Sequence, residues 1–169
     1  ELANMKKTES CVVFGSGFLA NIGVISALAA KKDLILIDDL SHASSFLGAK
    51  LTKAKVMRYK HNCMIDLEKK LTTHRKKYQK CMILTEGVFS MDGDLAPQRE
   101  ITSLKKKFNA FFILDDAHGI GVLGDGSGST SLFKNKVDVD ICIGTLSKAL
   151  GSYGGFITGK KNTIDFLIN

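Results

Sequence analysis

Short apolar runs alternate with longer segments in which apolar residues recur at helical spacing. The short runs predict strands at residues 11–14, 33–37, 55–59, 81–85, 110–114, 139–143 and 155–158. The longer segments predict helices at residues 18–30, 43–51 and 64–78, one opened by Pro97 and one starting near Lys161. Strands separated by helices are typical of a mainly parallel sheet covered on both faces, so we expect an α/β fold.

The chain has the size and composition of one globular domain. Its 169 residues are 44% hydrophobic and 24% charged. No apolar stretch is long enough to cross a bilayer, and no secretory signal is visible, so we expect a cytoplasmic location. The net charge of +7 lies mainly on scattered lysine pairs and the triplet Lys105-Lys106-Lys107. Solvated helix surfaces explain these lysines better than nucleic-acid binding, because no exposed aromatic residues are interleaved with them.

The four cysteines form no Cys-x-x-Cys pair. Three of them lie in or beside strand-like runs, which indicates core cysteines in a reducing compartment. His61 and Cys63 are close in sequence, but two ligands without further partners are weak evidence for a metal. We therefore expect no metal site.

Polar groups follow the ends of five predicted strands. They are the turn Gly15-Ser16-Gly17, Asp38, Glu86, Asp115 and Thr145. Ligands of parallel sheets bind at the carboxyl ends of the strands, so these groups predict one shared site. The turn also opens a helix, whose free N–H groups and dipole suit a phosphate.

An alternative stays open at this turn. Residues 15–20 match the dinucleotide fingerprint Gly-x-Gly-x-x-Gly/Ala, and Asp38 lies about twenty residues further on, where a ribose ligand is expected. However, residues 119–124 match the same pattern directly after a histidine, outside a strand-to-helix turn. The pattern alone is therefore weak evidence for a dinucleotide.

Lys148 stands among small and hydroxylated residues just after a predicted strand, where a ligand has room. A lysine there can form a Schiff base once a cationic or desolvated setting removes its proton. Asp115 ends another strand, and a carboxylate can keep a pyridine nitrogen protonated so that the ring accepts electrons. His118 lies close to Asp115 in sequence. Although a surface lysine and a structural Asp-x-x-His pair are the common interpretations, the combination predicts a pyridoxal phosphate (PLP) site.

Two further segments have ordinary explanations. Ser41 can cap a helix, and His42 is then an exposed first-turn residue. Ser90 precedes Asp92-Gly93-Asp94, which is typical of a turn and has too few ligands for a calcium loop. From the residues alone, neither segment is assigned to the site.

Five segments, in their order and spacing, resemble the α-oxoamine synthases, which are PLP enzymes of fold type I. These segments are residues 15–21, 41–44, 85–97, 114–124 and 145–155. The resemblance implies a seven-stranded sheet whose last strand is antiparallel. It also implies that Lys148 carries the aldimine, that Asp115 binds the ring nitrogen, and that His42 stacks on the ring face. His118 and Ser90 would lie near the ring hydroxyl.

The resemblance further assigns the phosphate end of PLP to Gly17, Phe18 and Thr145, with Glu86 supporting the site from behind. The family has an N-terminal segment and a C-terminal small domain as well. Residues 1–169 would thus be the PLP-binding large domain of a longer homodimeric enzyme, and inactive alone.

The implied reaction condenses an amino acid with an acyl thioester of CoA or an acyl carrier protein, with decarboxylation. L-Alanine and a pimeloyl thioester, the pair used in biotin biosynthesis, are favoured, and glycine with acetyl-CoA is the alternative. Two alternatives lie outside this class. A nucleotide-binding oxidoreductase would leave Lys148 without a role. A non-catalytic subunit of such an enzyme is disfavoured, because subunits of that kind tend to lose the lysine that is present here as Lys148.

Overall fold

The computed structural model describes residues 1–134 and 137–169. Its centre is one seven-stranded sheet with the strand order β1-β7-β6-β5-β4-β2-β3. The strands are β1 (Ser10–Phe14), β2 (Leu34–Asp38), β3 (Lys55–Tyr59), β4 (Cys81–Glu86), β5 (Phe111–Asp115), β6 (Ile141–Thr145) and β7 (Gly155–Gly159). Among the strands that the structure describes, β7 runs in the direction opposite to the other six, so it pairs antiparallel with β1 and β6. The predicted mainly parallel sheet with an antiparallel last strand is confirmed.

Helices cover both faces of this sheet. They are α1 (Leu2–Met5), α2 (Gly17–Leu28), α3 (Ala43–Lys50), α4 (Met64–His74), α5 (Gln98–Phe108) and α6 (Lys161–Ile168). Alternate strand residues point to opposite faces, so each face has its own apolar core. Residues of α2, α3 and α6 pack on one side and residues of α4 and α5 on the other. Within the described residues, no helix combines the length and apolar character needed to cross a membrane.

The strands leading to the predicted site extend further than the sequence pattern suggests. Asp38, Glu86, Asp115 and Thr145 are the last residues of their strands and do not follow them. The largest shift is in β6, which was predicted at residues 139–143. There the Asp140 carboxylate accepts a hydrogen bond from Phe112 N at 2.7 Å and forms an ion pair with Lys105 Nζ at 2.8 Å. These side-chain contacts hold Asp140, and the strand β6 begins one residue later, at Ile141.

The helix predicted at residues 64–78 ends earlier, at His74. The chain continues as a 3₁₀ turn, Arg75–Lys77. The Arg75 guanidinium fixes this turn because it donates to the carbonyl oxygens of Tyr78, Phe108 and Asn109 at 2.9 to 3.1 Å. The short helices α1 and Ser129–Leu132 were not predicted.

All four cysteines are free thiols. Cys81 and Cys142 are buried, and burial raises the pKa of each thiol to about 12. They are therefore core residues, as the strand pattern predicts. Cys63 instead occupies the N-cap position of α4, where its side chain makes no capping hydrogen bond.

The uncapped start of α4 gives a stability prediction. Serine accepts a hydrogen bond from the first helical N–H groups, whereas alanine does not, and this difference is worth about 1 kcal/mol. We expect Cys63→Ser to have a higher free energy of unfolding than Cys63→Ala by about this amount. Urea unfolding at pH 7 measures both. Equal values would show that this helix terminus is satisfied by solvent.

Candidate active site

The carboxyl ends of the parallel strands bring polar side chains to one edge of the sheet. Glu86 on β4 is the register partner of Asp115 on β5. Thr145 ends β6 and touches the start of α2, since a Cβ atom added to Gly17 would lie 3.2 Å from Thr145 Cβ. Residues from four separate sequence segments thus share one edge, as the sequence predicts.

The glycine turn before α2 forms a cradle for an anion. Ser16 caps the helix by accepting a hydrogen bond from Leu19 N at 3.1 Å. Gly155 lets the turn lie against β7, because a Cβ atom there would collide with the Ser16 and Gly17 backbone. Beside the turn, Thr145 Oγ1 lies 2.8 Å from Ser147 Oγ. Helix N–H groups next to two hydroxyls are a donor set that suits a phosphate group.

Asp115 is buried at the centre of the edge and held in one orientation. Its Oδ2 accepts a hydrogen bond from Asn21 Nδ2 at 2.6 Å, and its Oδ1 accepts one from Ala117 N at 3.1 Å. Burial raises the pKa of Asp115, and the hydrogen bond from Asn21 opposes that change. A positive partner placed at this carboxylate would therefore stabilise its charge.

Asn21 is a site residue that the sequence analysis missed. It is buried in α2, and its Oδ1 accepts a hydrogen bond from Ser45 Oγ in α3 at 3.2 Å. One amide thus connects the helix of the glycine turn, the helix after His42, and Asp115. The signal was an asparagine beside Ala20 and Val24 on the apolar face of a helix, where an unpaired amide is costly.

Lys148 and His118 meet at the open side of the edge. Lys148 Nζ lies 2.8 Å from His118 Nε2. Burial and the Lys148 charge lower the pKa of His118, so the ring is a neutral acceptor for the lysine proton. Lys148 also faces the Asp115 and Glu86 carboxylates, whose charges it favours. The arrangement can pass a proton between Lys148 and His118 within reach of a ligand on Asp115.

His42, and not Ser41, is the N-cap residue of α3. His42 Nδ1 accepts from Ser44 N at 3.2 Å, which an imidazole can do as well as a serine hydroxyl. The His42 backbone N–H donates to Glu86 Oε1 at 2.5 Å. Burial raises the pKa of Glu86 to about 7, and the Asp115 charge adds to this effect. Glu86 therefore holds the exposed His42 from behind.

Asp116 points away from Asp115 into a different environment. It forms a buried ion pair with Lys6 at 2.9 Å and accepts from Ser129 N. Glycines at positions 87, 119 and 128 surround it, and a Cβ at any of them would collide with its carboxylate. Asp116 is thus committed to fixing the loop that carries His118.

Three predicted residues do not join this central group. Phe18 is exposed in the first turn of α2, and Ser90 is exposed at the tip of the loop after β4. Asp38 is fully buried, and its oxygens accept from Leu40 N, Asn62 N and the His61 ring. Because its carboxylate is already occupied, Asp38 is not available to a ribose, which argues against the dinucleotide alternative.

Comparisons with known proteins show which family the chain belongs to. The aminotransferase class I and II family profile matches residues 2–169. The chain is 50% identical over 169 residues to 8-amino-7-oxononanoate synthase 2 of Bacillus subtilis (strain 168), and the match covers 100% of this chain and 43% of that protein.

Two solved structures are similar along nearly the whole chain. Serine palmitoyltransferase from S. paucimobilis with a bound PLP–myriocin aldimine has a TM-score of 0.92 and 34% identity, over 98% of this chain and 42% of that one. 8-Amino-7-oxononanoate synthase from Francisella tularensis has a TM-score of 0.81 and 33% identity, over 99% and 48%. The chain spans less than half the length of each of these relatives.

The two adjacent aspartates give a testable contrast in the unliganded protein. Asp116→Asn leaves Lys6 buried without a counter-charge, so we expect it to lower the free energy of unfolding by about 3 kcal/mol. Asp115 has a raised pKa, so its charge costs stability at pH 7, but an amide there can accept only one of the hydrogen bonds from Asn21 Nδ2 and Ala117 N. Because these effects oppose each other, we expect Asp115→Asn to change the free energy of unfolding by less than about 1 kcal/mol. Urea unfolding of both variants decides this. Equal losses would mean that both carboxylates serve the fold.

Proposed function

The chain belongs to the aminotransferase class I and II family, among the α-oxoamine synthases, and from this premise we propose that it is the PLP-binding part of an enzyme joining an amino acid to an acyl thioester. The observation that carries the proposal is the position of Lys148, which meets His118 at 2.8 Å beside the buried Asp115. A lysine, a neutral base and a carboxylate at one edge are the groups that PLP chemistry needs from a protein.

The residues present fit PLP. The Gly17 and Phe18 N–H groups with Thr145 suit its phosphate, in a cradle that a Cβ atom at position 17 would narrow. Asp115, whose hydrogen-bond partners among the described residues are the neutral Asn21 amide and the Ala117 N–H, suits the protonated ring nitrogen.

The remaining ring contacts are assigned to loop residues. His42, held by Glu86, suits the ring face, while His118 and Ser90 suit the ring hydroxyl. When bound, PLP supplies an electron-accepting ring that stabilises negative charge on the α-carbon of the amino acid.

Lys148 has two tasks in this proposal. Its Nζ would hold the cofactor, and the same Nζ, when free, would be placed to take up the α-proton of an amino acid and to give a proton back. His118 Nε2 accepts from Nζ and keeps it oriented between these tasks. Asp115 would hold its negative charge against the ring nitrogen, and Asn21 fixes the direction of that carboxylate by donating to it.

For substrates we propose L-alanine and a pimeloyl thioester, with loss of carbon dioxide, as a step of biotin biosynthesis. The names of the Bacillus and Francisella relatives support this choice. Glycine with acetyl-CoA is the alternative, and the carrier is CoA or an acyl carrier protein.

The complete enzyme is proposed to be a cytoplasmic homodimer in which residues 1–169 form the large domain. Several apolar side chains near the site edge are exposed, among them Phe18, Leu19 and Tyr153. Their exposure supports the proposal that other segments of the complete enzyme, or a second subunit, cover them. We infer that parts of the acyl-chain pocket lie in those further segments.

The covalent assignment to Lys148 is tested by trapping. We expect borohydride reduction of the PLP-loaded protein, followed by peptide mass spectrometry, to find the pyridoxyl group on Lys148. Lys148→Ala should abolish the label, whereas Lys161→Ala, on the exposed start of α6, should retain it. A label on any other lysine contradicts the assignment.

Substrate choice is tested by catalytic efficiency in the full-length protein. We expect kcat/KM for alanine with pimeloyl-CoA to exceed that for glycine with acetyl-CoA or succinyl-CoA. One methyl group in a pocket is worth roughly 1–3 kcal/mol, so a preference of about tenfold or more is within reach. If either glycine reaction is faster by that factor, the biotin assignment falls and the PLP proposal stands.

A further inference from the structure

A histidine outside the proposed site stands between two carboxylates. His61 follows β3, and its Nδ1 lies 2.9 Å from Asp38 Oδ1 while its Nε2 lies 2.8 Å from Asp94 Oδ2. Ionised carboxylate oxygens only accept hydrogen bonds, so both ring nitrogens must donate, and only the imidazolium can do this. The edge of this ring also meets the Phe89 ring, at 4.4 Å between centroids.

Asn62 repeats the same bridge. Its backbone N–H donates to Asp38 Oδ2 at 2.9 Å, and its Nδ2 donates to Asp94 Oδ2 at 2.7 Å. Its φ of 49° lies in the left-handed region, which asparagine adopts more readily than most residues. His61 and Asn62 thus form a clamp, hereafter the His61 clamp, between the end of β2 and Asp94.

Asp94 belongs to the loop of residues 87–97 that connects β4 to α5. This loop folds back on itself through a bridge between Val88 and Leu95 and a hydrogen bond from Phe89 N to the Asp94 carbonyl at 3.0 Å. Phe89 is buried beneath His61, whereas the next residue, Ser90, is exposed. The clamp therefore contacts the loop on both sides of Ser90, at Phe89 before it and at Asp94 after it.

The loop starts directly after Glu86, the register partner of Asp115. At its tip, within residues 90–93, neither Ser90 nor Met91 is buried. One backbone hydrogen bond, from Gly93 N to the Phe89 carbonyl oxygen at 2.8 Å, closes this tip. Since the tip itself has few contacts, the direction of Ser90 depends on how the base of the loop is held.

We propose that His61 is a positioning residue, whose imidazolium fixes the β4–α5 loop and with it Ser90, the residue that the proposed function assigns to the ring hydroxyl of the cofactor. The inference rests on the proposed PLP function. His61 touches neither Lys148 nor Asp115 in the described hydrogen bonds, so its role is in cofactor affinity and not in the chemistry of the bound cofactor.

The His61 clamp is sensitive to pH. The charged groups that face the ring are Asp38 on β2 and Asp94 on the loop, and Glu86 on β4 repels Asp38 from the other side. Burial lowers the pKa of His61, but its hydrogen bonds to Asp38 and Asp94 outweigh burial and raise the pKa overall. The clamp is then complete below the usual histidine value of about 6.5 and is lost as pH rises through the raised pKa of the folded state.

The test uses the full-length protein and titrates it with PLP, following visible absorbance from pH 6 to pH 9. We expect His61→Gln to raise the Kd for PLP about tenfold at pH 6.5, because an uncharged amide replaces a charge-assisted bridge. In wild type the Kd should rise towards pH 9, and in His61→Gln this dependence should flatten. His74→Gln, at the far end of α4, is the matched control and should behave as wild type.

Two further readouts separate positioning from other roles. The kcat at saturating PLP should change less than about twofold in His61→Gln, as expected when only binding is affected. Hydrogen exchange of peptides covering residues 87–97 should become faster. If His61→Gln fails to fold, Asp94→Asn removes only the outer half of the clamp and should show the same changes to a smaller degree.

Unchanged PLP affinity and exchange in both variants would overturn the proposal, and so would a loss of kcat with unchanged affinity. If wild type does not bind PLP at all, the proposed function fails, and exchange of residues 87–97 still decides whether the clamp holds the loop.

Discussion

The register between β4 and β5 is the constraint on which the site depends. It places the Glu86 and Asp115 carboxylates side by side at a buried edge. Burial raises the pKa of both, and for Glu86 the Asp115 charge adds to this effect and brings the pKa to about 7. The surrounding polar groups stabilise the two charges. The His42 N–H donates a hydrogen bond to Glu86, the Asn21 amide donates one to Asp115, and the Lys148 charge favours both carboxylates. A bound ligand with a positively charged ring atom would stabilise these two carboxylates in the same way.

Much of this arrangement follows from local sequence patterns. Lys148, Asp115 and Thr145 are recognisable because each ends an apolar run, and parallel strands bring such ends together. The contacts of Asn21 and Lys6 do not follow, since their partners Asp115 and Asp116 are about a hundred residues away. Hydrophobic periodicity tells which face a residue occupies and not which distant side chain it meets. The predicted ends of several strands are wrong by one or two residues for the same reason. Asp140 is an example, because its contacts with Phe112 and Lys105 could not be predicted from the sequence.

Asp38 has the spacing that the dinucleotide motif requires, but its carboxylate is not free to bind a ligand. Its distance from the glycine turn suits a ribose ligand, yet its carboxylate is filled by donors from residues 40, 61 and 62. The fingerprint describes a spacing along the chain, whereas the function of a carboxylate depends on which donors reach it first. Histidine at position 42 makes the converse point, because a residue with an ordinary surface explanation is fixed by the Glu86 carboxylate.

The position of β1 has a consequence for biosynthesis. This strand, which leads into the glycine turn, lies at the edge of the described sheet and pairs there with β7, from Ser10 with Gly159 to Phe14 with Gly155. On the ribosome, β1 must therefore wait until β7 has emerged, a delay of roughly 7 to 28 seconds at about 5–20 residues per second. Until then one edge of β6 is open and the turn lacks its support from Gly155. Nascent chains are thus exposed to edge-to-edge association, and chaperone engagement should be greatest in this interval.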